Sequence, residues 1–211
     1  MLVIPFNGSN LPLAFMFSTR VPGCGSKANL CISPSGPGWF LRRPAAPRPY
    51  APTSDMLNLA PQVVKATRDL LQCAGQRESC VFWYGERNGQ SAQVRSVRAP
   101  AQQSFRGNYH VEAEAMSQMV RDMPPNWRPL AQIHSHPGLD TEHSRYDDRM
   151  MSSHKVLSIV FPVFGVPAAP WSCGLGVHEW QIDYWHMLTP QQVGARLLLQ
   201  GADGLDVRDF Q

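Results

Sequence analysis

Acidic residues are missing from the first 54 positions of this 211-residue chain, which contain five of its 19 lysines and arginines. Nine of the 19 prolines also lie within the first 52 positions. A segment so poor in acidic residues and so rich in proline does not suit a packed core, so we predict that residues 1–55 are a largely irregular extension. At this level it stays open whether the extension is an organelle-type leader, or whether Met56 is the true start.

Several other features are scarce, and each argues against one class of protein. No apolar run approaches the roughly 20 residues that cross a bilayer. The first residues lack the basic start of a secretory signal, and prolines interrupt their apolar stretch. The net charge is only +3 and no basic cluster is interleaved with aromatics, which argues against a nucleic-acid partner. The five cysteines form no Cys-x-x-Cys pair, so free thiols in the cytoplasm fit better than a disulfide framework.

From Met56 onward, helical and extended hydrophobic patterns follow one another. We predict helices within 59–75, 110–123, 144–155 and 189–201, and strands within 79–97, 128–136, 156–165 and 174–188. The stretch 79–97 has the pattern of a hairpin around Asn88-Gly89. This mixture predicts one α/β (α+β) domain over residues 56–211, with a single mixed β-sheet flanked by helices.

The stretch AQIHSHPGLDTEHSRYDD, residues 131–148, concentrates side chains that bind metal ions. His134 and His136 lie two residues apart on a predicted strand, so both imidazoles face the same way. A helix that begins at Ser144 carries Asp147 in its first turn, and packing it against the strand end joins the carboxylate to the imidazoles. Such a set fills three of the four tetrahedral positions of zinc and leaves the last one open for water. The sequence therefore predicts one zinc ion per chain.

Spacing alone leaves several assignments open. Asp148 lies four residues after Ser144, so it competes with Asp147 as the carboxylate ligand. Ser144 and Asp147 also form an ordinary N-cap pair, and the two roles can coexist. The reaction needs a carboxylate that moves protons without binding the metal. We prefer Glu78, at the start of a predicted buried strand, to the loop residue Glu142.

Three further residues have simpler interpretations. We expect His143 and Asp140, like Glu142, to be solvated loop residues. We expect Cys80 to be a small buried side chain. The segment HEWQI, 178–182, begins like a helical zinc motif, but Ile stands where the second histidine is needed.

These residues resemble the motif of the JAMM (MPN-plus, or JAB) metalloproteases. That motif has an upstream glutamate, His-x-His, a seven-residue gap and then Ser-x-x-Asp. In this chain HSHP supplies His134 and His136, and SRYD supplies Ser144 and Asp147. The segment ESCVFWYG, which begins at Glu78, resembles the upstream segment of the family.

The resemblance covers roughly residues 56–188 and implies a JAB/MPN-like fold of the compact prokaryotic type. It implies a zinc isopeptidase or processing peptidase that cleaves after the C-terminus of a ubiquitin-like protein. Activating- and conjugating-enzyme-like proteins are implied partners, as in bacterial ubiquitin-like systems, including antiviral ones. The roles it implies are a general base, an oxyanion hydrogen-bond donor and three zinc ligands, carried respectively by Glu78, by Ser144, and by His134, His136 and Asp147.

Two other functions stay open. One is a non-catalytic MPN-type scaffold that binds protein partners. The other is the same chemistry on a small peptide or a sulfur-carrier precursor. Neither a nucleic acid nor a membrane is expected as a partner.

Overall fold

The computed structural model describes residues 43–166, 170–201 and 204–211. Most of the predicted proline-rich extension, residues 1–42, therefore lies outside the described residues. Residues 43–55 form no helix or strand. The division of the chain at residue 55 stays a prediction. Across the described ranges, every helix is too short or too polar to cross a bilayer.

Helices and strands are mixed along the described part of the chain. The helices are α1 (Pro61–Cys73), α2 (Ala113–Val120), α3 (Arg145–Met150) and α4 (Pro190–Arg196). The strands are β1 (Met56–Leu59), β2 (Cys80–Asn88), β3 (Ser91–Ala99), β4 (Gln103–Ser104), β5 (Tyr109–His110), β6 (Arg128–Ser135), β7 (Leu157–Phe161), β8 (Gly176–Gln181), β9 (Tyr184–Met187), β10 (Leu197–Leu199) and β11 (Asp206–Asp209).

One mixed sheet organises the domain, in the order β10-β1-β3-β2-β6-β7-β8-β9, with β11 also paired to β3. Strand β6 is antiparallel to β2 and parallel to β7. Strands β4 and β5 form a separate small hairpin. The predicted fold class, a mixed sheet flanked by helices, is confirmed.

Helix α1 packs on the sheet through the apolar stripe expected from its sequence. Its side chains Val63 and Leu71 are fully buried in the main core. Each such burial contributes roughly 1.5–3 kcal/mol relative to exposure. Thr67, also on this face, accepts a hydrogen bond from the buried Trp83 indole at 2.8 Å. This contact satisfies a polar atom that the core would otherwise leave unpaired.

Four boundary predictions are wrong. The strand predicted within 156–165 ends at Phe161, and Val163–Gly165 form a short 3-10 helix. The single strand predicted over 174–188 is the β8–β9 hairpin, which turns at Ile182 and Asp183 with φ values of 47° and 61°. The sequence signal for this turn is weak, because two-residue hairpin turns favour Asn, Asp and Gly, and Ile182 is unfavourable at a positive φ. The helix predicted over 144–155 ends at Met150, and the one predicted over 189–201 ends at Arg196 and continues into β10.

Candidate metal centre

The end of β6 presents two imidazoles on one face of the sheet. His134 is the next-to-last residue of β6 and is fully buried, and His136 follows the strand directly. The His136 N–H donates to the Phe161 carbonyl on β7 at 2.8 Å, which holds the chain extended beyond the strand. Ser135 points to the opposite face, where its hydroxyl accepts the Ser79 N–H at 3.3 Å. The two-residue period of the strand therefore places the imidazoles as predicted.

The first turn of α3 brings a carboxylate to the same place. Ser144 is the N-cap of α3, and its hydroxyl oxygen accepts the N–H groups of Tyr146 and Asp147, both at 3.2 Å. The Asp147 carboxylate accepts the Ser144 N–H in return at 2.6 Å. This reciprocal capping box fixes the Asp147 side chain at the start of the helix.

The three predicted ligand side chains lie together. The Nε2 atoms of His134 and His136 are 3.1 Å apart. Each of these Nε2 atoms lies 3.5 Å from an Asp147 oxygen. Ligands of a tetrahedral zinc ion, bound at about 2.0–2.1 Å, are separated by about 3.3 Å. The spacing of this set therefore fits one zinc ion.

The electrostatics of these side chains also fit a cation. Burial lowers the pKa of His134 to about 4, so its imidazole is neutral at pH 7. Burial opposes charge on Asp147, but His136, His134 and the Ser144 N–H outweigh it and hold the Asp147 pKa well below its usual range. Burial likewise opposes charge on His136, but Asp147 raises the His136 pKa, so a bound cation takes the place of a proton.

The outer nitrogen atoms of the two imidazoles differ in their partners. His136 Nδ1 donates to the Asp140 carbonyl at 2.8 Å, which directs the Nε2 lone pair at the site. His134 Nδ1 is buried and has no hydrogen-bond partner among the described residues.

Glu78 lies next to the ligands because of the pairing between β2 and β6. Cys80 pairs with His134, and the Ser135 N–H donates to the Ser79 carbonyl at 3.1 Å. One residue beyond the Ser79–Ser135 pair, the same antiparallel register places Glu78 opposite His136. Glu78 is only 5% exposed, and burial raises its pKa to about 7, with Asp147 adding to the shift and His136 opposing it.

The neighbouring carboxylate, Asp148, faces away from the imidazoles. Its Oδ1 accepts from His143 Nδ1 at 3.0 Å, and its Oδ2 lies 2.7 Å from Arg43 Nε. Sequence spacing could not distinguish the two aspartates, but the geometry does: Asp147 faces His134 and His136, and Asp148 does not. No local sequence pattern predicted that Arg43 contacts this region, because it lies in a proline-rich segment far from the motif.

The expectation that His143 is solvated is wrong. Its side chain is buried and stacks on His178 with ring centroids 3.9 Å apart. The loop that carries His143 packs onto β8, which removes the imidazole from solvent. By contrast, Asp140 and Glu142 are exposed, and Cys80 is fully buried, as predicted. The HEWQI segment lies on β8, which agrees with rejecting it as a helical zinc motif.

His143 also connects Ser158 and Asp148 in the order of a Ser-His-Asp triad. Its Nε2 accepts the Ser158 hydroxyl at 2.7 Å while its Nδ1 donates to Asp148. Ser158 is completely buried within β7, so no substrate can reach its hydroxyl. This chain of hydrogen bonds is therefore structural.

Comparisons with known proteins agree with this architecture. Residues 60–181 match the family described as prokaryotic homologues of the JAB domain. The solution structure of a protein from Desulfitobacterium hafniense is 18% identical, with a TM-score of 0.54 over 70% of this chain and 94% of that chain. A solution structure from Salinibacter ruber is 13% identical, with a TM-score of 0.47 over 69% of this chain and 93% of that chain. At such identities the first likeness concerns the fold alone, and no curated protein matches.

Proposed function

Because this chain belongs to the family of prokaryotic homologues of the JAB domain, we propose that it is a zinc metallopeptidase. Its reaction is hydrolysis of the peptide or isopeptide bond after the C-terminus of a ubiquitin-like protein. The observation that carries the proposal is the meeting of His134, His136 and Asp147 beside the buried Glu78. A non-catalytic scaffold has no need to bury three ionisable groups beside a fourth, partly buried one, since their desolvation is costly.

The chain's own residues supply the proton transfers. His134, His136 and Asp147 would hold the zinc ion, which would supply Lewis acidity and lower the pKa of water toward about 7. Glu78 accepts a proton from the attacking water and gives it to the leaving amine. A carboxyl group whose pKa is raised to about 7 suits both steps near neutral pH.

Ser144 stabilises the oxyanion that forms at the scissile carbonyl. Its oxygen already accepts two N–H groups of α3, which fixes the hydroxyl at the edge of the site. The hydroxyl proton is then directed outward, where it donates to the developing negative charge.

The substrate proposal rests on the surroundings of the site. Phe105 and Leu139 are 51% and 76% exposed. The Phe105 carbonyl accepts the Glu78 N–H at 2.6 Å, and Leu139 precedes Asp140, whose carbonyl holds His136. Two exposed apolar side chains therefore lie on the loops that border the site, where they suit an extended tail with apolar side chains.

The cellular setting is part of the same proposal. We place the enzyme in the cytoplasm, with activating- and conjugating-enzyme-like proteins as its partners. The unpaired state of the three cysteines in the described ranges, Cys73, Cys80 and Cys173, supports a reducing compartment.

Cleavage of reporter fusions tests the proposal. Zinc-loaded full-length protein is incubated with ubiquitin-like proteins that carry a C-terminal reporter, and with short peptide amides of the same tails. We expect cleavage of the fusions and a loss of roughly 10²–10⁴-fold in kcat for Glu78→Gln, with zinc retained. Glu142→Gln, which changes an exposed acid in the loop between β6 and α3, is the matched control and keeps full activity.

Three outcomes separate the candidate functions. Equal rates for Glu78→Gln and wild type would remove Glu78 from the mechanism. Cleavage of the peptide amides alone would favour the small-peptide substrate. Binding of a fusion without cleavage, by protein that contains zinc, would favour the scaffold.

A further inference from the structure

Two neighbouring carboxylates at the start of α3 face different partners. Asp147 faces the two imidazoles, whereas Asp148 contacts Arg43 and His143. Asp147 and Asp148 both lie in the first turn of α3, and in the structure Asp147 is the one that faces His134 and His136. A cation that engages Asp148 removes it from competition with Asp147.

Arg43 is that cation, and its side chain is held from three sides. The Nε atom lies 2.7 Å from Asp148 Oδ2 without the alignment of a hydrogen bond, so the contact is an ion pair. Its Nη2 donates to the Trp185 carbonyl at 2.8 Å. The guanidinium lies 4.1 Å above the centre of the Tyr184 ring, which is a cation–π contact. The side chain is only 9% exposed.

The segment that carries Arg43, residues 43–55, is fastened to the β8–β9 hairpin; we call it the arm. The Tyr184 hydroxyl donates to the Pro44 carbonyl at 2.8 Å. The Tyr50 hydroxyl donates to Glu179 at 2.6 Å. Gln181 exchanges two hydrogen bonds with the Ala51 backbone, at 3.0 and 2.7 Å. These contacts place Arg43 firmly against β9.

Asp148 is connected to the proposed metal ligand His134 through His143. Asp148 accepts from His143 at 3.0 Å, and the His143 ring centre lies 5.7 Å from that of His134. Among the described residues His134 Nδ1 has no hydrogen-bond partner, so His143 acts on that ring through packing alone. Loss of a group that orients a metal ligand typically weakens metal binding about 10–100-fold.

We propose that Arg43 is a positioning residue for the metal centre: by pairing with Asp148 it presents Asp147 to the two imidazoles. The inference rests on the proposed function, because it assumes that these residues bind zinc. Without Arg43, Asp148 loses its counter-charge and competes with Asp147 for the cation. The arm is then part of the working domain, although its composition predicted an irregular extension.

Zinc affinity of the full-length protein tests this inference. Affinity is measured by competition with a chelating dye, and the absorption spectrum of the cobalt(II)-substituted protein reports the ligand geometry. We expect Arg43→Gln to weaken zinc binding about tenfold or more and to change the cobalt spectrum. Arg43→Lys restores the charge and recovers part of the affinity. The double variant Arg43→Gln/Asp148→Asn also recovers part of it, because the competing carboxylate is gone.

Tyr50→Phe is the matched control, because it removes an arm contact without touching Asp148. We expect it to bind zinc as wild type does. Wild-type affinity and an unchanged cobalt spectrum in Arg43→Gln would overturn the inference, as would an equal loss in Tyr50→Phe. Absence of zinc binding in wild type would instead overturn the proposed function, and this inference with it. If Arg43→Gln does not fold, two other variants decide the matter: Arg43→Lys must alter the cobalt spectrum, and Asp148→Asn, which removes the competing carboxylate, must bind zinc as wild type does.

Discussion

Among single residues, Ser144 combines a structural role with a proposed chemical one, and the two can be measured separately. Ser144→Ala removes an N-cap and is expected to cost about 1 kcal/mol of unfolding free energy. If the hydroxyl also stabilises the oxyanion, kcat falls about 10²–10³-fold.

Thr189 provides the control for this prediction. It caps α4 through the same type of capping box, with Gln192, at a position outside the site. Thr189→Ala should lose similar stability without losing rate, as judged by urea unfolding and by cleavage of a reporter fusion. Equal rate losses in the two alanine variants would show that Ser144 acts only through helix stability.

The single-residue predictions depended on local spacing and stopped where spacing is ambiguous. The two-residue period of a strand was enough to place His134 and His136 together, and the capping pattern placed Asp147 in the first turn of a helix. Local spacing could not distinguish Asp147 from Asp148, because positions three and four after a cap share one helix face. In the structure Asp147 faces the two imidazoles, whereas Asp148 pairs with Arg43, which is distant in sequence.

At the scale of elements, the loop between the ligands depends on its packing against β8. A Cβ atom at Gly176 would overlap the carbonyl oxygen and Cβ of Thr141. Thr141 lies between His136 and Ser144, so Gly176→Ala must shift the loop that spaces the ligands. We expect a loss of about 1–3 kcal/mol in unfolding free energy, together with weaker zinc binding.

Gly194→Ala is the matched glycine substitution. Nothing lies within 4 Å of the added Cβ, and the residue is inside α4. Here alanine should stabilise the helix by roughly 0.5–1 kcal/mol and leave zinc binding unchanged. Wild-type stability and zinc affinity in Gly176→Ala would show that the loop adapts without cost.

Element types were predictable from periodicity, whereas several connections and ends were not. The apolar stripe of α1 and the hairpin around Asn88-Gly89 have strong local patterns. The turn at Ile182 and Asp183 carries a β-branched residue at a positive φ, so it is specified mainly by the pairing of β8 with β9. The burial of His143 likewise follows from a loop packing onto β8, which no local pattern reports.

For the molecule as a whole, two buried histidines make stability depend on pH. Burial lowers the pKa of His178 and His143 well below the usual value, and neighbouring imidazoles add to the effect: His143 on His178, and His134 on His143. Arg43 adds to this effect on both rings. These two imidazoles bind protons in the unfolded chain below about pH 6.5 but not in the folded one, so their contribution to stability falls as pH decreases.

Urea unfolding between pH 7.5 and 5.0, with a chelator present, measures this dependence. Each fully neutral buried histidine steepens the fall by up to about 1.4 kcal/mol per pH unit. His178→Gln should flatten the dependence, since Gln can still donate to the Thr141 carbonyl and does not titrate. Parallel curves for wild type and His178→Gln would mean that His178 is protonated without cost in the folded protein.

The most direct test of the central claim is elemental analysis of zinc in purified wild type, Asp147→Asn and the exposed-loop control Glu142→Gln. We predict about one zinc ion per chain in wild type and in Glu142→Gln, because three ligands and an open position form a complete catalytic site. We predict its loss from Asp147→Asn. Wild type without zinc after zinc supplementation, or Asp147→Asn with a full complement, would contradict the account.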